Sequence, residues 1–540
     1  MAKSAASRVV SIFAFATFLA FAPPVSAKEI NFDQATIAEL NAAFDAGTLT
    51  AEKLVEMCLE RIKAFDREGP KLHAVITLNP DALEIARALD AERKAKGPRS
   101  PMHGIPVIMK DNYDTVDMPT TGGSVLLEGS MAPDDAYMVQ KLRDGGAIIL
   151  AKLNLGEFAN GSQSSLGGQS LNPHDLTRTP SGSSGGTGVG IAAGYAPMGL
   201  GTDTGGSVRG PSNVNGIVGL KPTHGLVSRD GIIPLALSLD TGGPMARSVY
   251  DVAVALGVMT GVDPADPATN KSKGKFHKDY TKFLKADALK GARIGVARDF
   301  TGADPDVDWV FEASLKAMEK AGATLVEVRY PKWFLDSTFS AVFTLYPMEF
   351  KVQIAEYLKT TAPKYPKTLA ELIERSYEYT SLGKDGAGPN PYRWAYFVNT
   401  EQPSGDLTDP SYLALRDYYM PMSAALIDGI ITKNKLDAIV YPTGTRRPAQ
   451  IAAPTARLVP GEGPSIPSPT GIANLSGFPD LIVPAGFTTD DLPVTISFFG
   501  PAFSEPKLLA LGYSFEQATQ AIRRPINTPA LPGGLINVPD

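Results

Sequence analysis

Serine and glycine are concentrated in two short tracts, Pro180-Ser181-Gly182-Ser183-Ser184-Gly185-Gly186 and Thr202-Asp203-Thr204-Gly205-Gly206-Ser207-Val208-Arg209, with Ser183 and Ser207 separated by 24 positions. Glycine at this density disfavours regular structure and demands tight loops whose backbone approaches a ligand closely. Successive N–H groups in such loops can turn toward one point and hold a developing anion. Serines embedded there can act as nucleophile and proton carrier. Upstream, Lys110 ends the apolar run Ile105-Pro106-Val107-Ile108-Met109. A lysine carried inward by an apolar strand loses its proton readily, because desolvation disfavours the ammonium. Base and nucleophile are then available without histidine.

The residues from Gly182 through Pro211, GSSGGTGVGIAAGYAPMGLGTDTGGSVRGP, resemble the signature of the amidase signature family, whose members hydrolyse carboxamides with a Ser-cisSer-Lys triad. Lys110 sits in HGIPVIMKDN, which is similar to that family's lysine segment, and the 73 residues from Lys110 to Ser183 fit as well. The resemblance runs from about residue 33 to about residue 522. It departs where the family's first tract opens with two glycines, since Ser181-Gly182 stands there.

Carried over position by position, the resemblance implies Ser207 as nucleophile, Ser183 as the bridging serine on a cis peptide, and Lys110 as base. The N–H groups of Thr204, Gly205, Gly206 and Ser207 would form the oxyanion hole. From their own chemistry, Ser184 either supports the reaction or bonds to the loop backbone, and Asp203 and Arg209, flanking Ser207 with opposite charge, are expected to form an ion pair that holds the oxyanion loop. No cofactor or metal is implied. The implied fold is α/β: one large domain with a mixed, mostly parallel central sheet covered by helices on both faces.

The chain opens like an exported protein. Lys3 and Arg8 precede an apolar run from Val9 to Ala22, and Val25-Ser26-Ala27 offers small residues for cleavage. The run falls short of the roughly 20 residues needed to span a bilayer, which favours a cleaved signal over an anchor. The expected organisation is therefore a signal peptide at 1–27, an amidase domain at 28–522 and an extended tail at 523–540. Within the domain, a core is expected over about 100–258 and 435–520, and a pocket-forming segment over about 330–430. Localisation is expected to be periplasmic or secreted.

Export usually brings disulfides, but Cys58 is the only cysteine. It lies on the stripe Leu54, Val55, Cys58, Leu59, Ile62, whose helical spacing predicts burial. The 51 basic and 57 acidic residues give a net charge of −6, or −8 without Lys3 and Arg8. That balance opposes nucleic acid or anionic membrane as partner. The expected partner is a small-molecule or peptide amide, with no stable membrane insertion after signal cleavage. The enzyme is expected to act as a monomer or homodimer.

Residues 33–95 read as helices, with Thr50 an N-cap and Asp81 to Lys96 rich in helix formers. From about 104 to 258 short apolar runs alternate with glycine-rich loops, an α/β texture. Gly188 to Gly194 suits a closely packed helix facing the first serine tract. Residues 262–292 read as a surface loop, and a strand begins at Ala292. Between Tyr330 and Tyr419 the sequence is aromatic and irregular, as in segments that shape a pocket. Strand-like runs return at Ala438, Leu481 and Val494.

Other classes compete. Gly182-Ser183-Ser184-Gly185-Gly186 satisfies G-x-S-x-G, which would make Ser184 the nucleophile of a serine esterase; but loop sequence precedes it, and only His224 and His277 follow. The five histidines, His73, His103, His174, His224 and His277, show no metal-binding spacing. A non-catalytic exported solute-binding protein would share size, acidity and signal, but not a lysine and two serines in this arrangement. Gly188 to Ala193 matches a loose dinucleotide fingerprint without the strand it requires. Ser381 to Lys384 and Ser504 to Lys507 match S-x-x-K without an accompanying K-T-G. The signal, the stretch Ser228 to Pro234 and the late Phe503 to Lys507 look similar to exported bacterial peptide amidases.

Overall fold

The computed structural model describes residue 1 and residues 27–379, 391–402, 407–451 and 466–539. The signal-like run from Val9 to Ala22 and the Ser381 to Lys384 motif lie outside the described residues. Among the described residues fifteen strands occur, in chain order. They are β1 (Ala27–Asn31), β2 (Val75–Leu78), β3 (Pro106–Lys110), β4 (Ile148–Leu153), β5 (Gln163–Ser164), β6 (Gly168–Gln169), β7 (Met198–Asp203) and β8 (Val218–Lys221). There follow β9 (Thr241–Ala246), β10 (Arg293–Ala297), β11 (Thr324–Val328), β12 (Ala438–Pro442), β13 (Asp480–Phe487), β14 (Pro493–Phe499) and β15 (Leu535–Pro539).

Eleven of these form one sheet in the order β11-β10-β12-β14-β13-β8-β9-β7-β3-β4-β2, flanked by helices in a single domain. The sheet is mixed, as expected, but the balance of its pairings is corrected. Parallel pairing is confined to two groups, β11-β10-β12 and β7-β3-β4. The six remaining pairings are antiparallel. Apolar runs buried on both faces look alike in either direction, so strand sense was not readable from them. The short turn between β13 and β14 permits only an antiparallel hairpin.

The inner strands β3, β4, β7 and β9 are buried at every residue. Around them the N-terminal helices pack by the stripe read from sequence. The helix Ala51–Ile62 begins at Thr50, whose side chain accepts the Lys53 N–H, and it buries Leu54, Val55, Cys58 and Ile62. Cys58 is fully enclosed, and burial pushes its thiol up, away from the reactive thiolate. The purely helical reading of residues 33–95 missed β2, which pairs antiparallel with β4. Four residues are too few to display a period.

The aromatic region after Tyr330 is more regular than expected. Lys332–Leu358 is a helix of 27 residues with Pro347 inside it. Its inward residues Ala341, Leu345, Phe350 and Ile354 join Phe158 and Phe397 in a second hydrophobic cluster, apart from the main one. Beyond the helix Glu505–Thr519, β15 pairs with β1 and buries Ile536 and Val538.

Candidate active site

Strand β3 delivers Lys110 to the interior, and β7, parallel beside it, delivers Thr202 and Asp203. Between them in sequence, the first serine tract passes through a cis peptide at Gly182-Ser183 and enters the helix Gly185–Ala192, every residue of which is buried. Small side chains let this helix lie directly against the strands. Lys110 Nζ comes to rest 2.7 Å from Ser183 Oγ and donates to Thr202 Oγ1 at 2.6 Å. Thr202 Oγ1 also accepts from Asn112 Nδ2 at 3.1 Å. These bonds fix the direction of the lysine nitrogen.

Lys110 is fully buried, and burial lowers its pKa to about 7, with the charges of Asp203 and Asp240 opposing part of the drop. A depressed lysine pKa is not by itself a mark of catalysis. Lys221 is also brought to about 7 by burial and by Arg209, yet its Nζ donates to the carbonyls of Pro222 and Phe478. Of these two lysines, Lys110 is the one whose nitrogen contacts a serine hydroxyl.

The two tracts are stitched together. Ser184 N–H donates to the Ser207 carbonyl at 3.2 Å, and Ser184 Oγ bridges the N–H and C=O of Thr202. Ser184 is thus buried in backbone bonds, and neither histidine of the esterase alternative meets it. His224 Nε2 lies 2.9 Å from the Leu237 carbonyl, and His277 packs against Tyr280 and Phe283. Among the described residues, no group of three His, Cys, Asp or Glu side chains is placed to hold a metal ion.

Asp203 and Arg209 pair with both side chains fully buried, 2.9 Å apart. The Asp203 carboxylate also accepts the N–H groups of Gly206, Val208 and Arg209 at 2.9, 3.0 and 3.3 Å. Burial alone would raise Asp203, but the charge and hydrogen bonds of Arg209, with Asn474 and Lys221, hold it well below the usual carboxylate range. Arg209 reaches on to Asp480 at 3.1 Å and to Asn474 at 2.6 Å. At the other end of the loop, Thr204 Oγ1 donates to Asp240 at 2.6 Å. Of the four N–H groups expected to face an oxyanion, that of Gly206 donates to Asp203.

The loop needs its glycines. Gly206 has φ +128°, and a side chain there would strike Thr470. A methyl at Gly205 would collide with the Tyr346 hydroxyl, which descends from the helix Lys332–Leu358. Ser183, Gly205, Gly206 and Ser207 line a cleft of about 560 Å³, whose walls include Phe343 and Tyr346. The sequence reading missed Thr202, Asn112, Asn474 and Asp480. Asn112 and Thr202 stand beside residues already singled out, and their polarity next to Lys110 and Asp203 was an available signal. Asn474 and Asp480 are far away in the chain and carried none, whereas Tyr346 lies in the aromatic segment expected to shape a pocket.

Known proteins share this arrangement of chain. The profile of the Amidase family matches residues 53–509. The chain belongs to the amidase family. The native peptide amidase of Stenotrophomonas maltophilia superposes with a TM-score of 0.82 at 38% identity, covering 92% of this chain and 99% of that one. The peptide amidase PAM, solved with the competitive inhibitor chymostatin, gives 0.81 at 39% identity over 91% of this chain and 99% of that one. A probable amidase of Arabidopsis thaliana is 34% identical over 92% of this chain and 92% of its own length.

This amidase is thus a hydrolase acting on amide C–N bonds. Its Arg209 network yields a first prediction. Arg209→Met leaves Asp203 and Asp480 buried without their cation, a loss that costs about 3–5 kcal/mol. The urea midpoint of the variant is expected to fall accordingly, and activity with it, because the loop after Asp203 loses its anchor. A variant with an unchanged midpoint would refute the bracing role.

Proposed function

We propose that the amidase cleaves its substrate through an acyl-enzyme on Ser207, with Ser183 and Lys110 relaying the proton. The observation that carries this reading is the buried Lys110 Nζ at 2.7 Å from Ser183 Oγ, beneath a cleft that also presents Ser207. Neutral Lys110 accepts the Ser183 proton as Ser183 accepts that of Ser207, and the Ser207 oxygen bonds to the amide carbon. Charge on the carbonyl oxygen is met by the free N–H groups of the loop. The relay then reverses: Ser183 protonates the leaving nitrogen, the C–N bond breaks, and water hydrolyses the ester.

For the substrate, the peptide amidases at 38–39% identity favour the terminal carboxamide of a peptide. The cleft's aromatic wall, Phe343 and Tyr346, suits an extended chain with apolar side chains. The test is a panel of peptide amides, aryl acylamides and simple aliphatic amides, measured as kcat/KM with Ser207→Ala alongside. Peptide amides are expected to lead; equal rates across the panel would overturn the substrate assignment.

Export is proposed from the basic, apolar and small-residue succession at the N-terminus. Sequencing the protein recovered from the periplasm or medium is expected to begin at Lys28. A retained Met1 or Ala2 on membrane-bound protein would favour an anchor instead.

A further inference from the structure

Arg393, on the helix Pro391–Glu401, is a buried cation with no ion-pair contact to a carboxylate among the described residues. Its side chain is 3% exposed, and four rings enclose the guanidinium: Phe158, Phe350, Tyr396 and Phe397, with centroids 4.2 to 5.9 Å from its central carbon. Nη2 donates to the Phe158 carbonyl at 3.2 Å, while Nε and Nη1 are buried with no acceptor. No carboxylate among the described residues pairs with it. The nearby Glu157 carboxylate is occupied by the hydroxyl of Ser124 and by the N–H and hydroxyl of Ser165. Burial lowers Arg393 to about 10, which leaves it charged at neutral pH.

Aromatic faces offset part of the cost of burying a cation, but unmade N–H bonds remain costly. Arg393 lines a cavity of about 360 Å³, and Asn160, Gly161, Ser162 and Thr179 form a wall shared by that cavity and the cleft that holds Ser183 and Ser207. The two spaces therefore adjoin. In a chain of net charge −6, the charged side chains among the described residues lining them are all arginines: Arg393, Arg446 and Arg447. Arg447 is held by Asp304, Asp306 and Asp490, whereas Arg393 has no such carboxylate among the described residues.

We propose that Arg393 is a specificity-determining residue that binds a carboxylate carried by the substrate, while the scissile amide lies at Ser207. This deepens the functional reading above and rests on it. Guanidinium suits the task because its N–H fork matches a carboxylate and its charge persists when buried. Amides bearing a free carboxylate some bonds away from the reacting carbonyl are then the preferred class.

The experiment compares the mono-p-nitroanilides of succinic, glutaric and adipic acids with their methyl esters, and carboxylated acetanilides with theirs, in wild type, Arg393→Gln, Arg393→Lys and Ser207→Ala. Wild type is expected to favour at least one free acid over its ester by about 10- to 100-fold in kcat/KM, mainly through KM. Arg393→Gln is expected to bring that ratio to about one while retaining the rate on the neutral ester. A merely structural role would lower both rates together. Inhibition by glutarate or the matching free dicarboxylate gives a second readout, expected to weaken at least tenfold in Arg393→Gln. Should that variant not fold, a lower acid-to-ester ratio in Arg393→Lys, which keeps the charge and loses the fork, supports the proposal in its place. No preference for any free acid in wild type, or a preference that survives in the folded variants, overturns the proposal. Activity surviving in Ser207→Ala would instead refute the cleft assignment, whatever the acid-to-ester ratios.

Discussion

Ser207→Ala is expected to lower amide turnover by about 10⁴-fold or more, with the fold intact. The acyl-enzyme route needs an oxygen at that position, and alanine supplies none. The change itself is mild. Ser207 lines the cleft and its hydroxyl has no hydrogen bond to a described residue, so its removal strands no buried partner. Labelling by a fluorophosphonate, seen as a mass increment on the Ser207 peptide of wild type and absent from the variant, is the direct check. Ser183→Ala should lose less, about 10²- to 10⁴-fold, because water can carry part of the proton transfer. Near wild-type amide turnover in freshly purified Ser207→Ala would remove it as the nucleophile.

Lys110 carries the second large effect, and its sign follows from burial. The base must be neutral, and burial sets its pKa to about 7, so protonation removes the active form as pH drops through that value. The kcat/KM for an amide is expected to be level above about pH 7 and to fall about tenfold per pH unit below it. Lys110→Ala is expected to cost far more in amide than in activated-ester hydrolysis, because a good leaving group needs no proton. Lys110→Arg should not rescue, since a guanidinium stays charged and accepts no proton. A pH profile of wild type beside amide and ester rates for both variants makes the measurement. An arginine variant with near wild-type amide turnover would refute Lys110 as the base.

The chemistry was legible because it is local in sequence. The order of tract, helix, strand and tract from Ser181 to Arg209 lies within a single stretch, and Lys110 is announced by the apolar strand before it. The helix after the first serine tract and the strands at 293, 438, 480 and 493 likewise follow from apolar runs and small residues between loops. The Thr50 cap and the Cys58 stripe follow from side-chain hydrogen bonding and helical period. Misreadings arose where a period could not show itself: β2 is too short, and the aromatic helix from Lys332 to Leu358 carries a proline and rings of differing exposure.

From the sequence alone came the candidate residues and the loops that hold them, since glycine conformation, desolvation of a strand-borne lysine and short spacing all act over a few residues. Only the tertiary structure decided which groups complete the site. Arg209 meets Asn474 and Asp480 across 265 and 271 positions, Tyr346 descends on Gly205, and Arg393 is enclosed by Phe158, 235 positions away. The direction of strands β8, β9, β13 and β14 was decided there too. These contacts depend on how distant surfaces exclude water together, and residues that far apart leave no periodic trace of one another in the chain.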